Sequence, residues 1–467
     1  MKNRKRAPST RKVRRDVRQG KRGSGWDMQR QGRRIRRPDP RKVVVQEDAK
    51  NLTGAAGIAG FGAFLREQGV DAELQGLFGQ MKSGLWVVYP MAAQLRLLID
   101  LHVIGEGRVF GLEALAHDPL LRKLAGDAIP SIDILYDDLQ RFNPETIAIL
   151  ESMVASRASK ELRASKLKEI HIDIDTTVTP LFGNQEGALL GYNPRFHGRV
   201  SYHPMLARVA EIDMICGAQL RHGDRGFGDE DVPVIVGWRK RVREAVGPDC
   251  LIHVRIDAAG DCTALLRQFE TLGVWYYTKA RVTPDLAAAT TRCRSWKSLD
   301  HDAMNRPTRQ GAEIAFQRDE WNKAGLSPRV VAIRSRERDN GKQLYLWNDL
   351  DYTVQCWITN NAIATIDELA DVYNDRAGIE PLIAELKNNW CIGKAPSAHF
   401  DANHAAFLVK LLAYNLFRQY VRSHYPTIAS WRTAWLRRTT ILRPGRIARS
   451  GRRTVLHTTT IDVPMQC

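Results

Sequence analysis

Glu169-Ile-His-Ile-Asp-Ile-Asp175 is the stretch from which the rest of the chain is read. It alternates strictly: Ile170, Ile172 and Ile174 face one way, His171, Asp173 and Asp175 the other, as a strand requires. Leu251-Ile-His-Val-Arg-Ile-Asp257 repeats the pattern, with Ile252, Val254 and Ile256 opposite His253, Arg255 and Asp257. Each run stops at its last acid and passes into turn-forming residues, Thr176-Thr177 in one case and Ala258-Ala-Gly-Asp261 in the other. Taken alone, a strand-end Asp is more often a turn or helix cap. Two such acids at the carboxyl ends of neighbouring strands, joined by a helix-borne Glu, can instead hold two divalent ions about 4 Å apart. That is the geometry of phosphodiester cleavage and transfer.

The third acid is Glu380, in Ile379-Glu-Pro-Leu-Ile-Ala-Glu-Leu-Lys387. Tyr373, Arg376 and Lys387 stand at offsets of −7, −4 and +7 from it, spacings that stack along one helical face. Pro381 predicts a helix starting near Glu380, with Tyr373 and Arg376 on the turn leading in. The carboxylate suits a hard cation, while the cations and the phenol suit a phosphodiester. A solvated face with i,i+4 ion pairs is the plain alternative. The two upstream aspartates decide against it.

Asp175-Thr-Thr177, Asp257 and Tyr373-x2-Arg376-x3-Glu380-x6-Lys387 resemble the three catalytic motifs of DDE transposases from bacterial insertion sequences. The last is similar to the Tyr-Arg-Glu-Lys hallmark of their cut-and-paste branch. Gln185-Glu-Gly-Ala-Leu-Leu-Gly-Tyr-Asn-Pro194, Gly198-Arg-Val-Ser-Tyr-His-Pro204, Thr359-Asn360 and Leu411-Leu-Ala-Tyr-Asn-Leu416 resemble the insertion-sequence family numbered 1380. The likeness covers roughly residues 90 to 425. One departure is Ala258-Ala259, where the family often has a Ser and a Gly. The resemblance implies an α/β fold: an RNase H-like mixed-sheet core with a β-rich insertion, preceded by a helical N-terminal domain. It implies Asp175, Asp257 and Glu380 as catalytic metal ligands for two Mg²⁺ ions, with Mn²⁺ able to substitute. Tyr373, Arg376 and Lys387 would contact DNA phosphates; Asp173, on the same polar face as Asp175, is at most a candidate for a place behind the ligands. The implied partners are double-stranded DNA, both transposon terminal inverted repeats and target, and a second copy of the chain in a DNA-bound homodimer. Two rivals remain, an RNase H-like nuclease that only hydrolyses DNA and a non-catalytic DNA-binding descendant of a transposase.

The net charge of +18 sits at the ends. Residues 1–42 hold 18 Lys/Arg against three Asp, and residues 416–453 hold ten Arg and no acid, which leaves residues 43–415 mildly acidic. Basic ends draw a protein to a polyanion by counterion release, without reading sequence. Seven scattered cysteines with no C-x-x-C pair argue for a reducing compartment and against a zinc ribbon. The most apolar run, Ala405 to Phe417, is too short to span a bilayer and contains Lys410, so it predicts a buried helix. A cytoplasmic, nucleoid-associated protein without membrane contact is expected. No G-x-x-x-x-G-K run exists for a nucleoside triphosphate.

The organisation read from these patterns is a basic arm (1–45), a helical domain for DNA-end binding or dimerisation (46–165) and a first RNase H-like core segment (166–284). A β-rich insertion (285–356), a second core segment with the Glu helix (357–425) and a basic C-terminal tail (426–467) follow. Asn143-Pro144 predicts a helix start running to about Ser165. In the insertion, strands are expected at 312–318, 329–336, 343–348 and 353–359, with Asn340-Gly341 as a hairpin turn. Arg195 and Arg199 in the 191–204 segment, and Trp296, are candidate DNA contacts. Trp321 and Trp347 share with Trp296 the option of stacking on an unpaired base. His203 and His222 lack metal-ligand spacing and read as structural or solvent-exposed.

Overall fold

Strand β1 (Glu169–Thr176) lies inside a nine-stranded sheet. The computed structural model describes residues 40, 43–193, 196–336 and 352–461. The other strands of that sheet are β2 (Met205–Val209), β3 (Met214–Gln219), β4 (Leu251–Ile256), β5 (Trp275–Lys279), β6 (Lys297–His301), β7 (Pro307–Glu313), β8 (Arg329–Arg336) and β9 (Tyr352–Thr359). Their order is β3-β2-β1-β4-β5-β9-β8-β7-β6. β1 pairs antiparallel with β2, and β2 with β3, while β4 and β5 run parallel to β1. This 3-2-1-4-5 half is the RNase H-like core expected from the motifs.

The stretch read as an insertion continues the same sheet. β9 pairs antiparallel with β5, and β8, β7 and β6 follow outward, so the boundary placed at 356 falls inside β9. The strand expected at 312–318 lies earlier, at Pro307–Glu313. After Ile314 the chain leaves the ladder, and Arg318 turns to pair with Asp261 at 2.8 Å. The strand at 343–348, the Asn340-Gly341 turn and Trp347 lie outside the described residues.

Helices cover both faces. Ile170, Ile172 and Ile174 share one core with Trp238 and Val242 of α3 (Val232–Val246) and with Leu265, Leu266 and Phe269 of α4 (Thr263–Thr271). The expected N-terminal helices are present, notably α1 (Met91–Ile104) and α2 (Pro144–Ser165). The latter starts where predicted, with an Asn143–Thr146 capping box. They share the core on the opposite face with Leu206, Ile215 and the long α7 (Phe400–His424). Every residue of α7 from Ala402 to Val421 is buried, the signature of a helix enclosed on all sides. Its Lys410 ammonium donates to the Cys391 and Lys394 carbonyls, and burial pulls its pKa down to about 8. α7 also closes the sheet edge. Asn415 accepts from the Ile215 N–H and donates to the Ile215 carbonyl, and His404 Nε2 accepts from the Leu220 N–H. An edge that would template strand addition is thereby satisfied.

Residues 426–461 fold back onto this core instead of trailing as a tail. A hairpin, Gly445–Ser450 with Arg453–Thr458, pairs with Leu52–Thr53. Arg437 is buried against Trp390, 4.2 Å from its ring centre, and donates to the Val103, His102 and Asn389 carbonyls. Some of the basic C-terminal charge is therefore spent inside the protein. No helix among the described residues is long and apolar enough to cross a membrane.

Candidate active site

β1 and β4 run in register, Asp173 opposite Arg255 and Ile174 opposite Ile256, so the next step brings Asp175 and Asp257 out together at the carboxyl ends. Asp175 is mostly buried; its Oδ1 accepts from the Thr176 N–H at 2.9 Å. Asp257 opens the Ala258–Gly260 turn, with Oδ1 accepting from the Ala259 N–H at 2.9 Å and its carbonyl taking the Thr278 hydroxyl at 2.6 Å. A Cβ at Gly260 would collide with Ile256 and with Thr278, so the turn needs glycine there. The Ala258-Ala259 departure leaves this acid's placement intact.

The third acid arrives on a broken helix. α5 (Ile366–Asn374) begins with a Thr365–Glu368 capping box, a short 3₁₀ turn spans Asp375–Gly378, and α6 (Ile379–Asn389) follows. Tyr373 lies on α5 and not, as expected, on the turn; Arg376 does lie on the turn, and Glu380 and Lys387 on α6. The junction residues Asn374, Asp375 and Gly378 all keep helical backbone angles, so the strip survives the breaks. The Arg376 guanidinium stands 3.5 Å from Asp175 and 3.8 Å from Glu380.

Tyr373 and Arg376 are buried, and the Arg376 guanidinium is turned toward Asp175 and Glu380. Tyr373 hydrogen-bonds Arg376 and leans on Trp357, 5.5 Å between ring centres. Burial raises the Tyr373 pKa, against the pull of Arg376. Behind them Asp173 is wholly buried and clamped by Arg255 at 2.6 and 3.0 Å, and Arg255 also donates to the Val372 carbonyl at 2.9 Å. That pair ties α5 to β1 and β4. Burial still raises the Asp173 pKa despite Arg255.

Asp175, Asp257, Glu380 and Lys387 line one cleft of about 710 Å³. Lys387 Nζ donates to the Val178 carbonyl at 2.9 Å on its wall. Burial pushes the Asp175 pKa up to about 6; Arg376 opposes this, while Asp257 and Glu380 add repulsion. Three carboxylates converging on a cleft with one guanidinium between two of them form a hard, under-neutralised oxygen donor set, which fits a divalent cation such as Mg²⁺. Among the described residues, the trio whose ligand atoms all come within 4.8 Å is a different one, Glu169, His171 and His253. The cleft acids do not meet that spacing, and the Glu380 side chain is 65% exposed.

The remaining candidates are placed unevenly. Arg195 lies outside the described residues. Arg199 stacks on Phe182 at 4.4 Å and lies 5.7 Å from the Phe196 ring, beside the cleft wall that Phe196 helps form. Trp296 is half-buried under Arg334, 4.4 Å from its ring centre, and Trp321 is fully buried, which removes its stacking option. His203 lines the cleft, its Nδ1 held 2.6 Å from the Arg225 carbonyl, and burial lowers its pKa. Its signal in the sequence is its place in Gly198-Arg-Val-Ser-Tyr-His-Pro204, not any ligand spacing. Gly191 answers a close approach, since a Cβ there would fall 1.9 Å from the Gly223 carbonyl oxygen.

Residues 36–464 match the family described as "Transposase DDE domain group 1", and the chain belongs to that family of DDE transposases. Proteins of this kind generally use divalent metals. Among solved structures the chain is similar to the piggyBac transposase in a synaptic complex with hairpin DNA, at 10% identity and a TM-score of 0.39, over 82% of this chain and 78% of that one. None of the curated protein sequences matches it.

Proposed function

We propose that this chain is a cut-and-paste transposase of the insertion-sequence family numbered 1380, cleaving DNA at the element's ends and joining those ends to target DNA. The observation that carries the reading is the convergence of Asp175, Asp257 and Glu380 on one cleft, with Arg376 between two of them. Mg²⁺ bound by these carboxylates, with Mn²⁺ able to replace it, supplies an activated water and charge stabilisation at phosphorus. Arg376 holds Asp175 and Glu380 toward each other, and Tyr373, backed by Trp357, holds Arg376. Lys387, on the cleft wall, gives the phosphodiester a cation at the distance of a side chain's swing. The same acids serve cleavage and joining, because both are in-line displacements, and the 3′-OH freed at the element end attacks the target strand. Phosphates further out meet the 1–42 arm and Arg446, Arg449, Arg452 and Arg453, exposed on the C-terminal hairpin. Two ends require two protomers, hence a DNA-bound homodimer.

The test uses the full-length chain and a DNA fragment carrying the sequences that flank its gene. With Mg²⁺, nicks leaving 3′-OH ends at the element boundaries and joined products are expected. EDTA and the Asp175→Asn/Asp257→Asn/Glu380→Gln variant should abolish both while leaving DNA binding in place. Cleavage without joining selects the nuclease. Cleavage by the triple variant at the parent rate overturns the site.

A further inference from the structure

The polar face that ends in Asp175 begins, four residues and about 13 Å earlier along β1, in a second cluster. His171 and His253 are register partners on β1 and β4, their rings stacked with centres 4.6 Å apart. His253 is 3% exposed. Glu169 Oε1 lies 3.1 Å from His253 Nε2 and 3.9 Å from His171 Nε2, yet both Nε2 atoms are buried and make no hydrogen bond. Each ring is held by its other nitrogen instead. His171 Nδ1 lies 2.7 Å from Glu211 Oε1, and His253 Nδ1 3.0 Å from the Tyr277 hydroxyl, which also accepts from Asn361. A neutral His171 that donates Nδ1–H to Glu211 must present a lone pair at Nε2. That lone pair faces a carboxylate, an arrangement that calls for a cation between them. The carboxylate–imidazole pairing of Glu211 with His171 is the kind that orients a metal-ligating histidine.

We infer that Glu169, His171 and His253 form a binding site for one borderline transition-metal ion of the zinc type, separate from the cleft acids. Two imidazole nitrogens and one carboxylate favour Zn²⁺ over Mg²⁺, which prefers oxygen alone. Glu169 Oε1 lies 3.1 and 3.9 Å from the two Nε2 atoms, about the 3.3–3.6 Å that Zn–N and Zn–O bonds of about 2.0–2.2 Å set in a tetrahedron. All three ligand atoms lie within 4.8 Å of one another, so small side-chain shifts would close the set. Glu169, half exposed, leaves the fourth position to water. Through Glu211, which also accepts from the His171 N–H, the ion would staple β1 and β4 to the β2–β3 turn at the end of the sheet remote from the cleft.

The test uses the full-length Asp175→Asn/Asp257→Asn/Glu380→Gln variant, so that the cleft does not contribute. Stripped protein is titrated with Zn²⁺ followed by elemental analysis, and with Co²⁺ followed by visible absorption. One Zn²⁺ per chain and the intense bands of a four-coordinate Co²⁺ site are expected. Adding His171→Ala and His253→Ala should remove both. Glu211→Gln should weaken binding about 10- to 100-fold, as loss of an outer partner does. No zinc bound at micromolar concentration, or unchanged affinity in Glu169→Ala, overturns the site. Glu169 is exposed enough that its variant decides the matter even if the histidine variants fail to fold.

Discussion

One face of the β1–β4 strand pair carries two clusters of opposite character. At the carboxyl end three carboxylates spread around a cleft, one of them buried enough to hold its pKa near 6, with a single guanidinium between two of them. At the amino end two imidazoles stack, each fixed by a partner at Nδ1, and close on one carboxylate. The Asp173–Arg255 pair lies between them, sealed from water, with Arg208 a second cation 3.7 Å from Asp173. The difference teaches how one pleated surface keeps two donor sets apart. Hard oxygens face open space where a phosphodiester can enter, softer nitrogens are locked where nothing large can.

Breaking the carboxyl end should have the largest effect. Asp175→Asn or Glu380→Gln should each slow DNA cleavage on the order of 10³-fold or more, since several kcal/mol of transition-state stabilisation are lost, with binding in a gel-shift assay little changed. Breaking the plug comes next. Asp173→Asn leaves Arg255 buried without its carboxylate, and Arg255→Met leaves buried Asp173 with only Arg208 at 3.7 Å, so each should cost about 3–5 kcal/mol in denaturant unfolding. The double Asp173→Leu/Arg255→Met variant should recover most of that; if it does not, the pair has a role beyond charge balance.

Arg376→Lys keeps the charge but not the two-pronged reach, and should reduce cleavage about 10- to 100-fold, as loss of a charged hydrogen bond does. A subtler contrast lies in pH. With the Asp175 pKa about 6 in the folded chain against an ordinary 3.8, the folded state keeps a proton that the unfolded state has released. Stability in EDTA should therefore fall as pH rises through about 4 to 6, by on the order of 1–3 kcal/mol. Asp175→Asn should flatten that stretch of the curve in guanidinium titrations at pH 4.5 and 7; an unaltered slope would mean that other groups carry it.

Much of this was legible in the residues alone. Strict alternation in 169–175 and 251–257 announced two strands with acids at their ends, because a period of two is a property of the pleat itself. Asn143-Pro144 announced the start of α2 for an equally local reason. The family motif placed Glu380 on a helix beside those strands. The fate of Tyr373 and Arg376 was not legible, since helical spacing says which side chains share a face but not whether that face meets solvent or carboxylates. Nor was the continuation of the sheet through β6–β9, because a β-rich run does not state which edge it joins.

By itself the sequence determined the two alternating strands, the start of α2 and the polycationic ends, all set by short-range periodicity and charge, while the three acids were read from the family motif. Only the tertiary structure decided that Arg437 is buried, that Arg376 lies between Asp175 and Glu380, and that His171 meets His253 across two strands 82 residues apart. Those outcomes depend on register and packing between distant segments, where desolvation and pairing are settled only once the segments meet.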